Sequence, residues 1–125
     1  MNYSEKTIQN KIIKNLKDRG YWVMKTQGGV AGTPIGAPDI IACNTIGKFV
    51  AIEVKKIGGR LSDEQLSQLG KISQITSEAY VTNDPDFGKE IDFIFVTNGE
   101  TKNPTFKEKT TYCVFKGRYY EALYD

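Results

Sequence analysis

The run Lys48–Lys56, KFVAIEVKK, most constrains what this chain can fold into. As a strand, it would place successive side chains on alternate faces. One face is purely β-branched and aliphatic: Val50, Ile52 and Val54. The other face begins apolar and ends in an acid and a base: Phe49, Ala51, Glu53 and Lys55. The pattern therefore predicts a strand that is buried on both sides, with its charged end emerging at a functional site.

The residues before this strand predict its partner. Pro38–Cys43 is typical of a strand, and Asn44–Gly47 can close a three-residue loop whose glycine adopts the left-handed conformation. In that register Asp39 lies opposite Glu53, whereas a loop one residue longer would turn the two acids to opposite faces. We predict the first register, in which two carboxylates and the ammonium group of Lys55 converge.

Converging acids of this kind suit a metal site. Adjacent carboxylates repel each other, and burial raises their pKa values unless a cation compensates. A hard divalent cation such as Mg²⁺ binds one or two carboxylates and keeps several waters, which suits phosphodiester hydrolysis. Lys55 could then contact the scissile phosphate or orient the attacking water. The alternative is a surface hairpin in which Glu53 and Lys55 only form an ion pair.

Three short motifs occur together: Pro38-Asp39, Glu53-Val54-Lys55 and Gln65. They resemble the PD-(D/E)XK nuclease signature. The run GAPDI…IEVKK…GRLSDEQ resembles the VRR-NUC branch of that superfamily, found in phage and in replication and repair nucleases. The resemblance covers about residues 4–86. It implies an α/β fold with a restriction-endonuclease-like PD-(D/E)XK core, a mixed sheet flanked by helices.

The resemblance also implies a set of site residues and a cofactor, Mg²⁺ or Mn²⁺. The metal ligands would be Asp39, Glu53, the backbone carbonyl of Val54, and Glu5. The catalytic residues would be Asp39, Glu53, Lys55 and Gln65. Basic residues near the site predict DNA contacts, and these are Lys25, Lys56 and Arg60.

Two of these residues have a structural explanation as well. Glu5 extends the inward stripe of the first predicted helix, which Ser4 caps, yet the helix dipole alone favours an acid in a first turn. Gln65 would form a capping box with Ser62 at the start of the second helix. Both explanations stay open for each residue. The buried stripe of this second helix is predicted to run through Leu66, Leu69, Ile72 and Ile75.

A glycine-rich loop precedes Asp39 and contains Gly28, Gly29, Gly32, Pro34 and Gly36. We expect it to flank DNA, as a mobile segment or one that a ligand approaches closely. The alternative is a plain flexible connection. It is not a phosphate-binding P-loop, because no Gly-Lys-Ser/Thr follows.

Beyond Phe87 the resemblance ends. Predicted strands occupy Glu90–Thr97, Thr111–Lys116 and Tyr119–Tyr124, with a polar loop at Asn98–Thr110 and a turn at Gly117-Arg118. They would add a C-terminal antiparallel β extension, residues 87–125, to the core within a single domain, residues 1–125. The many aromatic residues here favour core or a dimer face over base stacking.

Composition excludes several function classes. The chain has no histidine, which removes histidine-metal nucleases, Ser-His-Asp and Cys-His hydrolases and Cys₂His₂ zinc fingers. Its net charge of +2 is too small to establish nucleic-acid binding. Cys43 and Cys113 lie in apolar runs and are predicted to be buried thiols. No apolar run approaches the roughly 20 residues that span a bilayer.

The sequence thus predicts a metal-dependent DNA endonuclease without a membrane segment. We expect it in the cytoplasm of a bacterial, archaeal or phage-infected host cell. DNA, including branched DNA, is the expected partner, and a homodimer is compatible with the sequence. One alternative is a catalytically silent nucleic-acid-binding or inhibitory module with the same fold. Another is a nuclease that acts on RNA or on DNA ends.

Overall fold

The computed structural model describes residues 3–89, 93–95 and 99–124, with the backbone alone for residues 93–95 and 124. Within them the chain forms two helices and seven strands: α1 Glu5–Asp18, β1 Trp22–Lys25, β2 Ile40–Cys43, β3 Phe49–Val54, α2 Asp63–Ile72, β4 Ala79–Thr82, β5 Phe93–Phe95, β6 Thr111–Phe115 and β7 Arg118–Tyr124.

The strands form one mixed sheet in the order β1-β2-β3-β4-β6-β7-β5. β3 and β4 run parallel, and every other neighbouring pair is antiparallel. The parallel pair requires a crossover connection, which α2 provides. The predicted α/β class, with a mixed sheet, two helices and an antiparallel C-terminal extension, is confirmed at this level.

Each helix begins where its sequence predicts. The Ser4 hydroxyl caps α1 by accepting the backbone N–H of Thr7 at 3.1 Å. The Ser62 hydroxyl caps α2 by accepting the N–H of Gln65, and the Gln65 side chain accepts the N–H of Ser62. These local bonds satisfy N–H groups that have no partner inside a helix, and so they fix where each helix enters the structure.

The two faces of the sheet hold separate hydrophobic clusters. On one face α1 packs against β2 and β3. The buried residues from these three elements are Ile8, Ile12, Leu16, Ile40, Ala42, Val50, Ile52 and Val54. The other face packs against α2 and the loop before β6. Its buried residues are Leu61, Leu69, Ala79, Val81, Phe106, Val114 and Tyr119. β3 is buried from Val50 to Val54, as its alternating pattern predicts.

The hairpin that joins β2 to β3 has the predicted register. Ile41 pairs with Ala51 and Ile40 with Ile52. The loop closes with the N–H of Asn44 donating to the carbonyl of Lys48 at 3.0 Å, and its glycine has φ +84°. Extending this register by one residue places Asp39 opposite Glu53, so both acids share a face.

Three predictions about single residues are wrong. Ile75 is 90% exposed, because α2 ends at Ile72 and the chain turns before it could bury a further residue. Cys43 is partly exposed rather than buried, since neither hydrophobic cluster covers its face of β2. The last hairpin turns at Lys116-Gly117, both with positive φ, and Arg118 already belongs to β7.

Of the five C-terminal aromatic residues whose side chains the structure describes, four belong to or pack against the hydrophobic clusters, as predicted, and Phe115 is 43% exposed. Phe106 and Tyr119 are buried, and Tyr112 packs edge-on against Phe106 with ring centroids 5.5 Å apart. Of the predicted strand Glu90–Thr97, residues 93–95 form β5, whereas residues 90–92 and 96–97 lie outside the described residues. Among the helices of the described chain, none is long and apolar enough to cross a membrane.

Candidate active site

Asp39 is held in place by backbone groups on both sides. It immediately precedes β2, and its carbonyl accepts the N–H of Thr26, which follows β1, at 2.8 Å. Its carboxylate Oδ2 accepts the N–H of Val54, at the end of β3, at 2.9 Å. The carboxylate therefore lies at the edge of the sheet where β1 and β3 end and β2 begins.

Glu53 is the most buried charged residue at this end of the sheet, with only 1% of its surface exposed. Its Oε2 accepts a hydrogen bond from Nε2 of Gln65 at 3.0 Å. Its Oε1 is buried without a hydrogen-bond partner, and no other buried side-chain oxygen or nitrogen of the described residues lacks one. A buried acceptor without a partner destabilises the fold unless a donor or a cation contacts it.

The electrostatics of the two acids reflect this arrangement. Burial, followed by the neighbouring Asp39 carboxyl, raises the pKa of Glu53 from 4.5 to about 9, although the Lys55 ammonium acts in the opposite direction. Burial also raises the pKa of Asp39, although the hydrogen bond from the Val54 N–H acts to lower it. A proton on Glu53 would form a hydrogen bond to Asp39, so the pair retains a proton at neutral pH in the absence of a counter-cation.

Gln65 caps α2 and also donates a hydrogen bond to Glu53. Its side-chain oxygen accepts the N–H of Ser62 at 2.9 Å, while its side-chain nitrogen donates to Glu53. The predicted capping role is confirmed, and the same side chain contacts Glu53, beside which its site role is predicted. The start of α2 and the buried acid of β3 are linked through this amide.

Glu5 lies near Asp39 and Glu53 but does not form a three-acid cluster with them. Its Oε2 accepts the backbone N–H of Lys56 at 3.1 Å, which ties the start of α1 to the end of β3. Its charge raises the pKa of both Asp39 and Glu53. No group of three or more His, Cys, Asp or Glu residues in the described chain is arranged to hold a metal ion. The side-chain metal donors that the hairpin brings together are thus two carboxylates.

Lys55 follows β3, and its N–H continues the ladder by donating to the carbonyl of Thr82 at 3.1 Å. Its side chain is half-buried, and its charge lowers the pKa of both acids. The aliphatic carbons of the Lys55 side chain lie close to Gly59. A Cβ added to Gly59 would be 3.5 Å from the Cβ of Lys55 and 2.9 Å from the Lys56 carbonyl oxygen. The charge of Lys55 therefore acts on both carboxyls, and the predicted role of its ammonium group stays a prediction.

The three predicted DNA contacts lie in different environments. Lys25 is exposed and pairs with Ile40, so it shares the α1 face of the sheet rather than the face of the two acids. The Lys56 side chain is exposed beside the site. Arg60 is exposed, with its guanidinium 3.5 Å from the carbonyl oxygen of Asn103. Of these, Lys56 is adjacent to the acids along the chain.

Gly36 is a supporting residue whose role the sequence did not reveal. It has φ +83°, and an added Cβ would lie 2.4 Å from the backbone carbon of Glu64 and 2.8 Å from the nitrogen of Gln65. The glycine-rich loop is therefore seated against the first turn of α2. By contrast Gly28, Gly29 and Gly32 face open space.

Asn103 is a second residue that sequence reasoning missed. Its side chain accepts the N–H of Leu61 at 3.2 Å and donates to the carbonyl of the same residue at 2.7 Å. This pair of bonds fixes the chain immediately before the Ser62 cap. The C-terminal extension thereby holds the start of α2 in place. The two residues are 42 positions apart, and no local sequence motif predicts their contact.

The residues present fit a hard divalent cation. Such ions prefer oxygen ligands, and Asp39 and Glu53 bring carboxylate oxygens together beside the backbone of Val54. Because Glu53 Oε1 has no partner and the pKa of this carboxyl is raised, a positive charge beside it would stabilise its ionised form. Comparison of the chain with protein-family models, curated proteins and solved structures gives no match.

Proposed function

We propose that this chain is a metal-dependent nuclease that hydrolyses phosphodiester bonds in DNA, with Mg²⁺ or Mn²⁺ as its cofactor. The observation that supports it most is the buried Oε1 of Glu53, which has no donor although it lies beside Asp39. A structural acid would be satisfied by the fold itself, because buried polar groups normally have partners. Unless Glu53 carries a proton that it donates to Asp39, its Oε1 has no partner, which fits a site where a cation takes the place of that proton.

The chain's own residues would divide the work as follows. Asp39 and Glu53, with the carbonyl of Val54, would hold the cation, and Gln65 would keep Glu53 in the orientation seen here. The ammonium group of Lys55, on the same side, would face the scissile phosphate and offset its negative charge. When bound, the cation would supply an activated water and polarise the phosphoryl oxygen.

The order of elements supports the PD-(D/E)XK resemblance. A helix, a strand and a β-hairpin are followed by a second helix and a strand parallel to the hairpin's second strand. This is the mixed sheet flanked by helices that the resemblance implies. The acids lie at the open end of the hairpin, where Gln65 of α2 contacts Glu53 and Glu5 of α1 contacts the backbone of Lys56.

A cleavage panel with purified protein tests the proposal. End-labelled single strand, linear duplex, flap and four-way junction would each be incubated with Mg²⁺, Mn²⁺ or EDTA. Asp39→Asn and Lys55→Ala are the test variants, and Lys48→Ala, an exposed lysine before β3, is the matched control. We expect metal-dependent cutting that both test variants abolish and the control retains.

The same panel separates the alternatives. The ranking of the substrates would establish whether branched DNA is preferred, and a parallel set of RNA strands would establish the type of nucleic acid. Binding without cutting in either metal would contradict the nuclease and favour a catalytically silent binding module. Cutting that survives in Asp39→Asn would place the chemistry elsewhere.

A further inference from the structure

One face of the outer strands β1 and β2 is apolar and uncovered. Across the sheet, Trp22 pairs with Cys43 and Cys43 with Phe49, while Met24 pairs with Ile41. Residues that pair in this way project from the same face. Trp22 is 61% exposed, Met24 44% and Phe49 45%, and Ile41 and Cys43 are partly exposed. We call these five residues the outer platform.

The outer platform lies on the α2 side of the sheet, at its β1 edge, where Phe49 lines a pocket with Ile72 of α2. The outer-platform residues belong to neither hydrophobic cluster, although β1 and β2 place other residues against α1. A surface of exposed apolar side chains of this kind marks an interaction site more often than a solvated face. The question is what it contacts.

The outer platform leads directly to the candidate active site. The row after Met24 and Ile41 on this face contains Thr26, Asp39 and Glu53. Two residues along a strand span about 7 Å, so along the strand direction the row of the acids lies about 7 Å beyond the row of Met24 and about 13 Å beyond the row of Trp22. A nucleic acid strand whose phosphate lies at the acids and which continues along these strands must pass over the outer platform.

The chemistry of the outer platform suits unpaired bases. An exposed indole and a phenyl ring offer flat apolar surfaces on which bases stack without regard to sequence. On this face, β1, β2 and β3 present no carboxylate besides Asp39 and Glu53. Paired bases are stacked inside a duplex and cannot reach such a surface.

We propose that the outer platform binds unpaired bases next to the scissile phosphate, so that the substrate contains a single-stranded segment. This rests on the proposed nuclease function for the position of the phosphate. The base-binding surface itself is argued from exposure, register and side-chain chemistry, and it can be measured without cleavage.

The protein contains a built-in reporter, because Trp22 is its only tryptophan. Its fluorescence would be titrated in EDTA with an oligothymidine strand and with a blunt duplex. Anisotropy of a labelled single strand would then compare the wild type with Trp22→Ala and with Ile46→Ala. Ile46 is 76% exposed in the β2–β3 loop, so it is a matched surface control. Thermal melting would establish that each variant folds.

We expect the single strand to quench Trp22 and the duplex not to. Trp22→Ala should weaken single-strand binding about tenfold, the loss typical of one base–aromatic stack, and Ile46→Ala should not. Equal binding of strand and duplex, or unchanged binding by Trp22→Ala, would overturn the proposal. So would a concentration-dependent dimer that Trp22→Ala abolishes, because the surface would then contact a second copy.

The two proposals fail in different ways. Metal-dependent cutting of duplex without quenching by single strands would reject the outer platform and leave the nuclease intact. Quenching with the expected loss in Trp22→Ala, but no cutting in any metal, would support the outer platform and reject the nuclease.

Discussion

The side-chain amide of Gln65 donates to Oε2 of Glu53 at 3.0 Å while its oxygen accepts the N–H of Ser62. One side chain thus completes a helix cap and orients a buried acid from the central strand. The two roles share a single rotamer, because both ends of the amide are engaged. The cap therefore fixes where the donor to Glu53 lies.

The two roles of Gln65 can be separated by substitution. Gln65→Ala removes the donor to Glu53 and half of the capping box, whereas Ser62→Ala removes only the hydroxyl of the cap. Each should lower stability, by about 1 kcal/mol for the lost cap. Only Gln65→Ala should greatly reduce single-turnover cleavage, because it leaves both oxygens of Glu53 without a donor. Urea unfolding and cleavage rates measured on the same preparations check this, and equal loss of cleavage in both variants would contradict it.

Ionisation of Glu53 should destabilise the metal-free protein. Its pKa is 4.5 when unfolded and about 9 when folded, so the folded state binds the proton more tightly. Between these values the unfolded state holds fewer protons, and the free energy of unfolding therefore falls as pH rises from about 4.5 towards 9. The loss is absent below about 4.5, where both states are protonated.

Glu53→Gln should remove this pH dependence. The amide can donate to Asp39 as a protonated Glu53 would, and it has no charge to desolvate. In EDTA at pH 8 we expect a higher melting temperature than wild type, with about 3–5 °C for each kcal/mol gained. The matched control is Glu64→Gln, an exposed first-turn acid of α2. A variant less stable than wild type at pH 8 would mean that Glu53 is satisfied when ionised.

Binding of Mg²⁺ or Mn²⁺ should release a proton. The acid pair retains a proton at neutral pH, and a cation between the carboxylates must displace it. Calorimetric titration in buffers of different ionisation enthalpy should give about one proton released at pH 7, and affinity should rise as pH increases towards 9. Asp39→Asn should bind far more weakly, whereas Glu64→Gln should bind like wild type. Binding without proton release would show that the cation sits away from Glu53.

The sequence predicted the parts of the site that local chemistry determines. The register of Asp39 and Glu53 follows from loop length and from alternation along β3, and the Ser62–Gln65 cap follows from a four-residue motif. The support that Asn103 gives to Leu61 and the uncovered face around Trp22 depend on which elements pack together. Local patterns do not contain that information. The same limit explains Ile75, whose helical spacing continues past the point where α2 ends.

Gly36 provides a test of whether the glycine-rich loop acts through α2. Gly36→Ala places a Cβ within 2.5 Å of the Glu64 carbonyl group at φ +83°, so the loop must lift away from the helix. Alanine at a positive φ alone destabilises by more than about 1 kcal/mol. Because Gly36 abuts the backbone nitrogen of Gln65, we also expect cleavage to fall more than stability explains, measured as kcat under conditions where the variant is fully folded. Gly28→Ala, in open space at an unrestricted φ, should leave both unchanged. Wild-type kcat in a folded Gly36→Ala would show that the loop and the active site are independent.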